Sequence, residues 1–467
     1  MSSSTTATPG AYHTARVIQL ALVAALGGFL FGFDTAVING AVGAMREDFG
    51  MSSALTGFVV SSALLGCMLG AYLAGRIADR IGRIRVMVIA SVLFTLSAIG
   101  SGLAFGPVDM IFWRAVGGVG VGAASVIAPA YIAEISPAAI RGRMGSLQQL
   151  AIVTGIFVAL LSDFAIAAAA GGSNEPMAFG LDAWRWMFLA EALPAVAYGV
   201  LAVTIPESPR FLIRVGDEQR ARDVLGQVLV DGIDTRISEI KRTIVREARS
   251  SFADLRKPGG GLLPIVWIGI ALSVFQQFVG INVIFYYSST LWQSVGFTED
   301  DALKQTVITS VTNIVVTLVA IALIDKIGRR LLLLIGSTGM TASLGVMAWI
   351  FSQARLVDGQ PDLTDDAALI ALVAANAFVV FFGVSWGPVV WVLLGEMFNN
   401  TIRGLALGIA AAAQWLANFV ISTTFPSMAD VGLWFAYGFY TVFALLSLLF
   451  VLRFVPETKG VELEDMA

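Results

Sequence analysis

Three charged side chains lie at similar depth within the apolar stretches of this 467-residue sequence: Asp34, Arg114 and Glu191. A charge inside a membrane helix costs roughly 2.5–3.5 kcal/mol on insertion scales and marks a pathway more often than a packing site. A guanidinium keeps its charge at physiological pH, so Arg114 needs a carboxylate, and Asp34 and Glu191 are the two at its level. Protonating Asp34 would cancel its pull and pass Arg114 to Glu191, which is the logic of a proton switch. A static ion network is the competing reading, since structural pairs also gather charge.

Neutral recognition groups form a second set. Gln148, Gln149, Gln276, Gln277, Asn282, Asn313, Gln414 and Asn418 are scattered through apolar runs. A side-chain amide offers a donor and an acceptor from one rigid group, and inside a membrane it must face protein or a wet cavity. Helix-to-helix glue explains any single one; as a set they favour a polyol.

The elements that hold these residues follow from composition. The sequence is 57% hydrophobic and 13% charged, with a mean hydropathy of +0.81, whereas soluble domains carry roughly 25% charged residues. The chain is therefore read as a polytopic membrane protein. A net charge of -4 gives no footprint for nucleic acid, and the single Cys67 and single His13 leave no cysteine cluster or histidine-based metal site. A crossing needs about 20 apolar residues, and twelve such runs begin near Val17, Gly57, Val86, Met110, Met144, Trp184, Leu262, Thr306, Leu331, Leu369, Leu405 and Trp434. With both termini inside, 24 of the 29 Lys and Arg fall in cytoplasmic segments, as the positive-inside rule requires. The expected division is a tail over 1–16, a six-helix bundle over 17–205, short amphipathic cytoplasmic helices over 206–261, a second bundle over 262–455 and a tail over 456–467. Pro388, after Gly387, is expected to bend span 10 near Trp391.

The halves repeat. Asp79-Arg80-Ile81-Gly82-Arg83 recurs as Asp325-Lys326-Ile327-Gly328-Arg329, Glu134 and Arg141 recur as Glu396 and Arg403, and Pro206-Glu207-Ser208 recurs as Pro456-Glu457-Thr458, at offsets of 246 to 262 residues. A six-helix unit used twice, in parallel, is an alternating-access design with its site between the halves. Asp79, Arg83, Glu134, Arg141, Asp325, Arg329, Glu396 and Arg403 are expected at cytoplasmic span ends, as a gate bridged when that side closes; a topology signal alone is the simpler reading.

These strings, with Gly32-Phe33-Asp34-Thr35, Arg114-Ala115-Val116-Gly117-Gly118, Pro206-Glu207-Ser208-Pro209-Arg210, Gln276-Gln277-Phe278-Val279-Gly280-Ile281-Asn282 and Pro456-Glu457-Thr458-Lys459-Gly460, closely resemble the sugar porters of the major facilitator superfamily over nearly the whole chain. Within that family the sequence looks most like bacterial proton-coupled glucose permeases, with xylose and inositol symporters close behind. The resemblance implies a twelve-helix fold in the cell membrane and a sugar surrounded by Gln149, Gln276, Gln277, Asn282, Asn313, Trp391, Gln414 and Trp415, with Phe31 nearby; Gln148 is not carried over, and a monomer is expected although the sequence does not encode the oligomeric state. An acid at Asp34 resembles the symporters rather than the facilitators. Three positions depart from the pattern: Ile84 replaces a basic residue, Asn399 a proline, and Asp163 stands where relatives often have Asn.

Proton-coupled import of a hexose, most readily D-glucose, is the leading expectation. Xylose or myo-inositol symport and an uncoupled facilitator are the alternatives, and a membrane sugar sensor is a third class. An enzyme is disfavoured, because no phosphate-binding Gly-x-x-x-x-Gly-Lys-Ser/Thr loop is present and the only histidine lies in the tail. No cofactor or metal is expected.

Overall fold

Apolar runs that cannot hydrogen-bond to lipid must satisfy their own backbone, and the chain folds as two six-helix bundles. The computed structural model describes residues 12–137, 140–247, 252–257, 260–357, 360–398 and 402–457. Spans 1 to 5 are Thr14–Asp48, Ser53–Ile81, Arg83–Gly102, Pro107–Ile135 and Arg141–Ala170. Spans 7 to 12 are Pro264–Ser294, Glu299–Ile327, Arg329–Gln353, Asp365–Met397, Arg403–Val431 and Leu433–Phe454.

Eleven of these are long and apolar enough to cross a membrane as they stand. Span 6 is the twelfth, divided at Glu191 into Ala183–Ala190 and Ala192–Ala202. Pro194 accounts for the division: it has no N–H for the Ala190 carbonyl, and its ring crowds that oxygen. Span 10 breaks for the same reason. Pro388 leaves the Val384 carbonyl without its helical donor, so the irregular residue is Ser385 (φ −131°, ψ −88°), nearly two turns before Trp391. Span 7 breaks at Gly280, which adopts φ +83°.

Several spans start earlier than their apolar runs because polar residues cap them. Thr298 accepts from the Asp301 N–H and precedes the acidic first turn Glu299, Asp300 and Asp301, so span 8 begins a full turn or more before Thr306; anions suit the positive end of a helix dipole. Ser52 and Thr364 cap spans 2 and 10 likewise. Between the bundles lie three short helices, Pro209–Arg214, Glu218–Val228 and Ile233–Glu247, whose Leu225, Val228, Ile237 and Ile240 are buried. A two-stranded ribbon, Arg355–Val357 with Gln360–Asp362, joins spans 9 and 10.

The repeat has a physical counterpart at two helix starts. Gly82 (φ +99°) turns the chain into span 3, and Glu207 accepts from the N–H groups of Arg83 at 2.9 Å and Ile84 at 3.2 Å. Gly328 (φ +100°) turns it into span 9, and Glu457 accepts from Arg329 at 2.9 Å and Arg330 at 3.0 Å. A Cβ at either glycine would overlap the capping carboxylate. One motif from the end of each bundle thus caps the third helix of that bundle.

Inside the first bundle, spans meet at backbone distance. A Cβ on Gly118 would overlap the Ala63 carbonyl, one on Gly122 the Cys67 carbonyl, and one on Gly66 the Ala115 carbonyl, so spans 2 and 4 pack with nothing between their main chains. Gly32 and Gly155 do the same for spans 1 and 5. Gly118→Ala should lower stability by about 1–3 kcal/mol, the usual cost of overpacking, while Gly408→Ala, where no atom lies within 4 Å of the new methyl, should be neutral. Thermal unfolding of the purified variants separates the two; equal midpoints would contradict the packing argument.

Candidate functional site

Spans 1, 4 and 6 each bring one charge to the same depth. Arg114 donates from Nη1 to the Asp34 Oδ1 at 3.1 Å and to the Asp34 main-chain oxygen at 3.0 Å. Gly117, one turn on from Arg114, has no side chain to keep Asp34 away. Arg114 is 2% exposed, Asp34 0% and Glu191 1%. The Asp34 Oδ2 and both Glu191 oxygens have no hydrogen-bond partner among the described residues, and the two carboxyls face the same guanidinium and each other. Two carboxylates cannot bond; a carboxyl and a carboxylate can. One cation faces two acids, so a single bound proton makes the cluster neutral.

The amides gather around the breaks in spans 7 and 10. Gln276 donates to the main-chain oxygens of Trp386 at 2.8 Å and Gly387 at 3.2 Å. Gln277 donates to Gln276 at 3.4 Å, and Asn282 donates to Gln277 at 2.6 Å. Gln277 and Asn282 stand on either side of Gly280, so the chain of amides bridges one helix break and reaches the other. Phe31 and Trp415, on spans 1 and 11, lie ring to ring at 5.6 Å. Asn313 is buried beside Gly383, Gln414 keeps a buried Oε1 without a partner, and Trp391 is 43% exposed. Gln149 is half-buried and makes no bond to the others. Gln148 packs against Gly28 with both amide atoms unbonded.

At the face that carries the termini, Arg83 grips Glu134 through two bonds of 2.9 and 3.0 Å and meets Asp79 at 3.2 Å. Arg329 grips Glu396 identically, at 2.7 and 3.0 Å. Both pairs lie within a bundle, so rocking one bundle against the other does not by itself break them. Ser208 donates to Glu134, and Arg214 pairs with Asp79, which adds the helix Pro209–Arg214 to the network. Arg141 has only a long contact, 3.5 Å, to the Ser136 oxygen. Asn399 and the side chains of Asp325 and Arg403 lie outside the described residues.

Sequence reasoning missed Asn39. Its Nδ2 donates to Phe285 at 3.0 Å and Ser288 at 2.9 Å, its Oδ1 accepts from the Ser289 N–H at 3.1 Å, and its main-chain oxygen accepts from the Ser289 hydroxyl at 2.5 Å. An amide inside an apolar span was the available signal. With Ser53 to Asp430 at 2.9 Å, Ser61 to Thr423 at 2.6 Å and Ser173 to Glu299 at 3.0 Å, these bonds join the bundles in the membrane half remote from the termini, hereafter the far face.

Residues 20–467 match the family described as Sugar (and other) transporter. The chain belongs to that family. It is 61% identical to a glucose transport protein of Synechocystis sp., covering 96% of this chain and 97% of the relative. It is 38% identical to the D-xylose-proton symporter of Escherichia coli, covering 97% and 96%. The solved structure of the E. coli proton:xylose symporter XylE bound to 6-bromo-6-deoxy-D-glucose matches with a TM-score of 0.79 at 38% identity, over 97% of this chain and 99% of that one. XylE in a partially occluded inward-open conformation matches with 0.81 at 36% identity, over 96% and 99%. This sugar transporter is a multi-pass membrane protein and not an enzyme. Its far-face clasp makes a direct expectation: Asn39→Ala removes two side-chain donor bonds and one acceptor, so hydrogen–deuterium exchange of Ile281–Ser294 should rise several-fold. Unchanged exchange there would show that the clasp does not hold the bundles together.

Proposed function

We propose that this transporter imports a monosaccharide together with a proton by alternating access, that the sugar is a hexose, D-glucose in the first instance, and that xylose or myo-inositol is the alternative substrate. The observation that carries the coupling is the buried cluster of one guanidinium and two carboxyls, Asp34, Arg114 and Glu191. An isolated carboxylate in a low-dielectric site is strongly disfavoured, so the cluster is stable with one proton and strained without it. Losing the proton frees a second negative charge to compete for Arg114, and because the three residues come from spans 1, 4 and 6, that competition moves helices.

The clustering of Lys and Arg supports the reading that both termini lie in the cytoplasm and that the protein sits in the plasma membrane, where one chain with both bundles works as a monomer. On that orientation the far face is outside, and bonds clustered there describe an inward-facing state. Phe31, Gln149, Gln276, Gln277, Asn282, Asn313, Trp391, Gln414 and Trp415 are the proposed sugar contacts. Asp79, Arg83, Glu134, Arg141, Asp325, Arg329, Glu396 and Arg403 form the proposed cytoplasmic gate; the Arg83–Glu134 and Arg329–Glu396 pairs stay bridged within their bundles in this inward-facing state, so the change on closing falls to Arg141, which gains a carboxylate.

Gln277→Ala and Asn282→Ala should each weaken sugar binding by about 1–3 kcal/mol, the cost of stranding a buried hydrogen-bond partner. Isothermal titration of the purified variants reads this; unchanged affinity in both would remove the amide chain from the site. Asp34→Asn keeps the shape and a hydrogen bond to Arg114 but neither binds nor releases a proton, so counterflow should survive while accumulation is lost. One proton falling through 100 mV supplies about 2.3 kcal/mol, enough for roughly fifty-fold accumulation at 1.4 kcal/mol per tenfold. Uptake into vesicles with an imposed inward proton gradient makes the test. A wild type indifferent to the gradient would replace the symporter with a facilitator.

A further inference from the structure

Asp163 is buried in the far-face half of span 5, at 0% exposure, and the proposed coupling cluster does not use it. Its Oδ2 accepts one long bond, 3.3 Å, from the Gly40 N–H, and its Oδ1 has no partner. The side chain occupies the space a Cβ on Gly40 would need, so span 1 is pressed directly on the carboxyl. Among the described residues no cation answers it.

The charged groups on the elements packed around this half of span 5 are engaged elsewhere. On span 1, Arg46 bonds to Met51 and Ser53, Glu47 accepts from Asn174, and Asp48 pairs with Arg185 of span 6. On span 4, Arg114 is held by Asp34, and Glu191 of span 6 faces that same pair. On span 8, Glu299 accepts from the Ser173 N–H, and Lys304 pairs with Asp300 and Asp301. Glu175 and Asp182, in the loop after span 5, make no bond to Asp163. A bare carboxylate with one weak donor is therefore the disfavoured form here, and the neutral acid fits.

The position is as informative as the burial. Gly40 gives its N–H to Asp163, takes a bond from Ser173 on its own carbonyl at 3.3 Å, and follows Asn39, whose bonds to Phe285, Ser288 and Ser289 close the far face. One two-residue segment of span 1 is thus gripped by the other bundle on one side and by Asp163 on the other. When the bundles part at the far face, spans 5 and 8 separate and water reaches this segment; a carboxyl that meets water there can release its proton to it.

We propose that Asp163 is a second proton-binding site, distinct from Asp34 and Glu191, which holds a proton while the far-face seal is shut and gives it up when the seal opens. It makes the balance between the two conformations depend on pH without carrying the proton that drives accumulation, and it does not rest on Asp34 being the coupling acid.

Infrared difference spectra of the purified transporter, taken between mildly acidic and alkaline buffers, detect the C=O band of a protonated carboxyl. The wild type and Asp34→Asn should share one such band that is lost in Asp163→Asn and in Asp163→Ala. Hydrogen–deuterium exchange of peptides covering residues 36–45 supplies the conformational readout: relative to the acidic buffer and corrected for intrinsic rates, it should rise at least threefold in alkaline buffer for the wild type and stay flat for Asp163→Asn. The proposal is overturned if both Asp163 variants retain every carboxyl band of the wild type, or if the seal peptides of Asp163→Asn respond to pH as the wild type's do. Failure of the Asp34→Asn uptake experiment would leave these two readouts untouched, so the two ideas fall separately.

Discussion

A guanidinium that cannot shed its charge, enclosed by helices that offer it almost no water, sets the terms for the first bundle. Arg114 must be answered within reach of its own side chain, and the answer comes from span 1, through both the carboxylate and the main-chain oxygen of Asp34. That demand brings span 1 against span 4 where Gly117 leaves room. Glu191 then arrives on span 6, at the residue where Pro194 has interrupted the helix. A carboxyl in excess over the available cation is costly in a low-dielectric interior, and a proton is the smallest thing that removes the excess.

Much of this was legible before any coordinates. The twelve spans, the repeat and the convergence of Asp34, Arg114 and Glu191 follow from run length, from motif spacing and from the rule that an intramembrane arginine needs an acid. The grouping of Gln276, Gln277 and Asn282 was legible as well, since the three stand within seven residues. Other features depend on packing angles that no linear pattern carries. Asn39 is one amide among several in the sequence, and only the approach of span 7 turns it into a clasp. The bundle-internal pairing of Arg83 with Glu134 also lay beyond spacing alone, because residues fifty positions apart meet or miss according to helix tilt.

The breaks in spans 7 and 10 show how local irregularity becomes a site. A regular helix spends its carbonyls on its own N–H groups, so it has little to offer a neighbour. Gly280 and Pro388 each interrupt that self-sufficiency, and beside the break in span 10 Gln276 donates to the main-chain oxygens of Trp386 and Gly387. Gln277 and Asn282 extend the same chain across Gly280. Polar groups that must be satisfied, placed where two helices are free to bend, combine recognition and movement in one spot.

The two kinds of interface differ in strength, and that difference suits a machine that rocks. Within the first bundle, glycines let main chains touch over long stretches, and a misplaced methyl there costs energy with no way to relax. Between the bundles at the far face, Gly57 lies against the Thr423 carbonyl, and the polar connections are a few hydroxyl and amide bonds: the Asn39 clasp, Ser53 with Asp430, Ser61 with Thr423 and Ser173 with Glu299. At roughly 0.5–1.5 kcal/mol net for each, they sum to a few kcal/mol. Reversing a two-state balance from 1:99 to 99:1 takes about 5.5 kcal/mol of differential binding, which is of the same order. Polar bonds this few and weak at the far face are within the range that a bound sugar and a single proton can turn over.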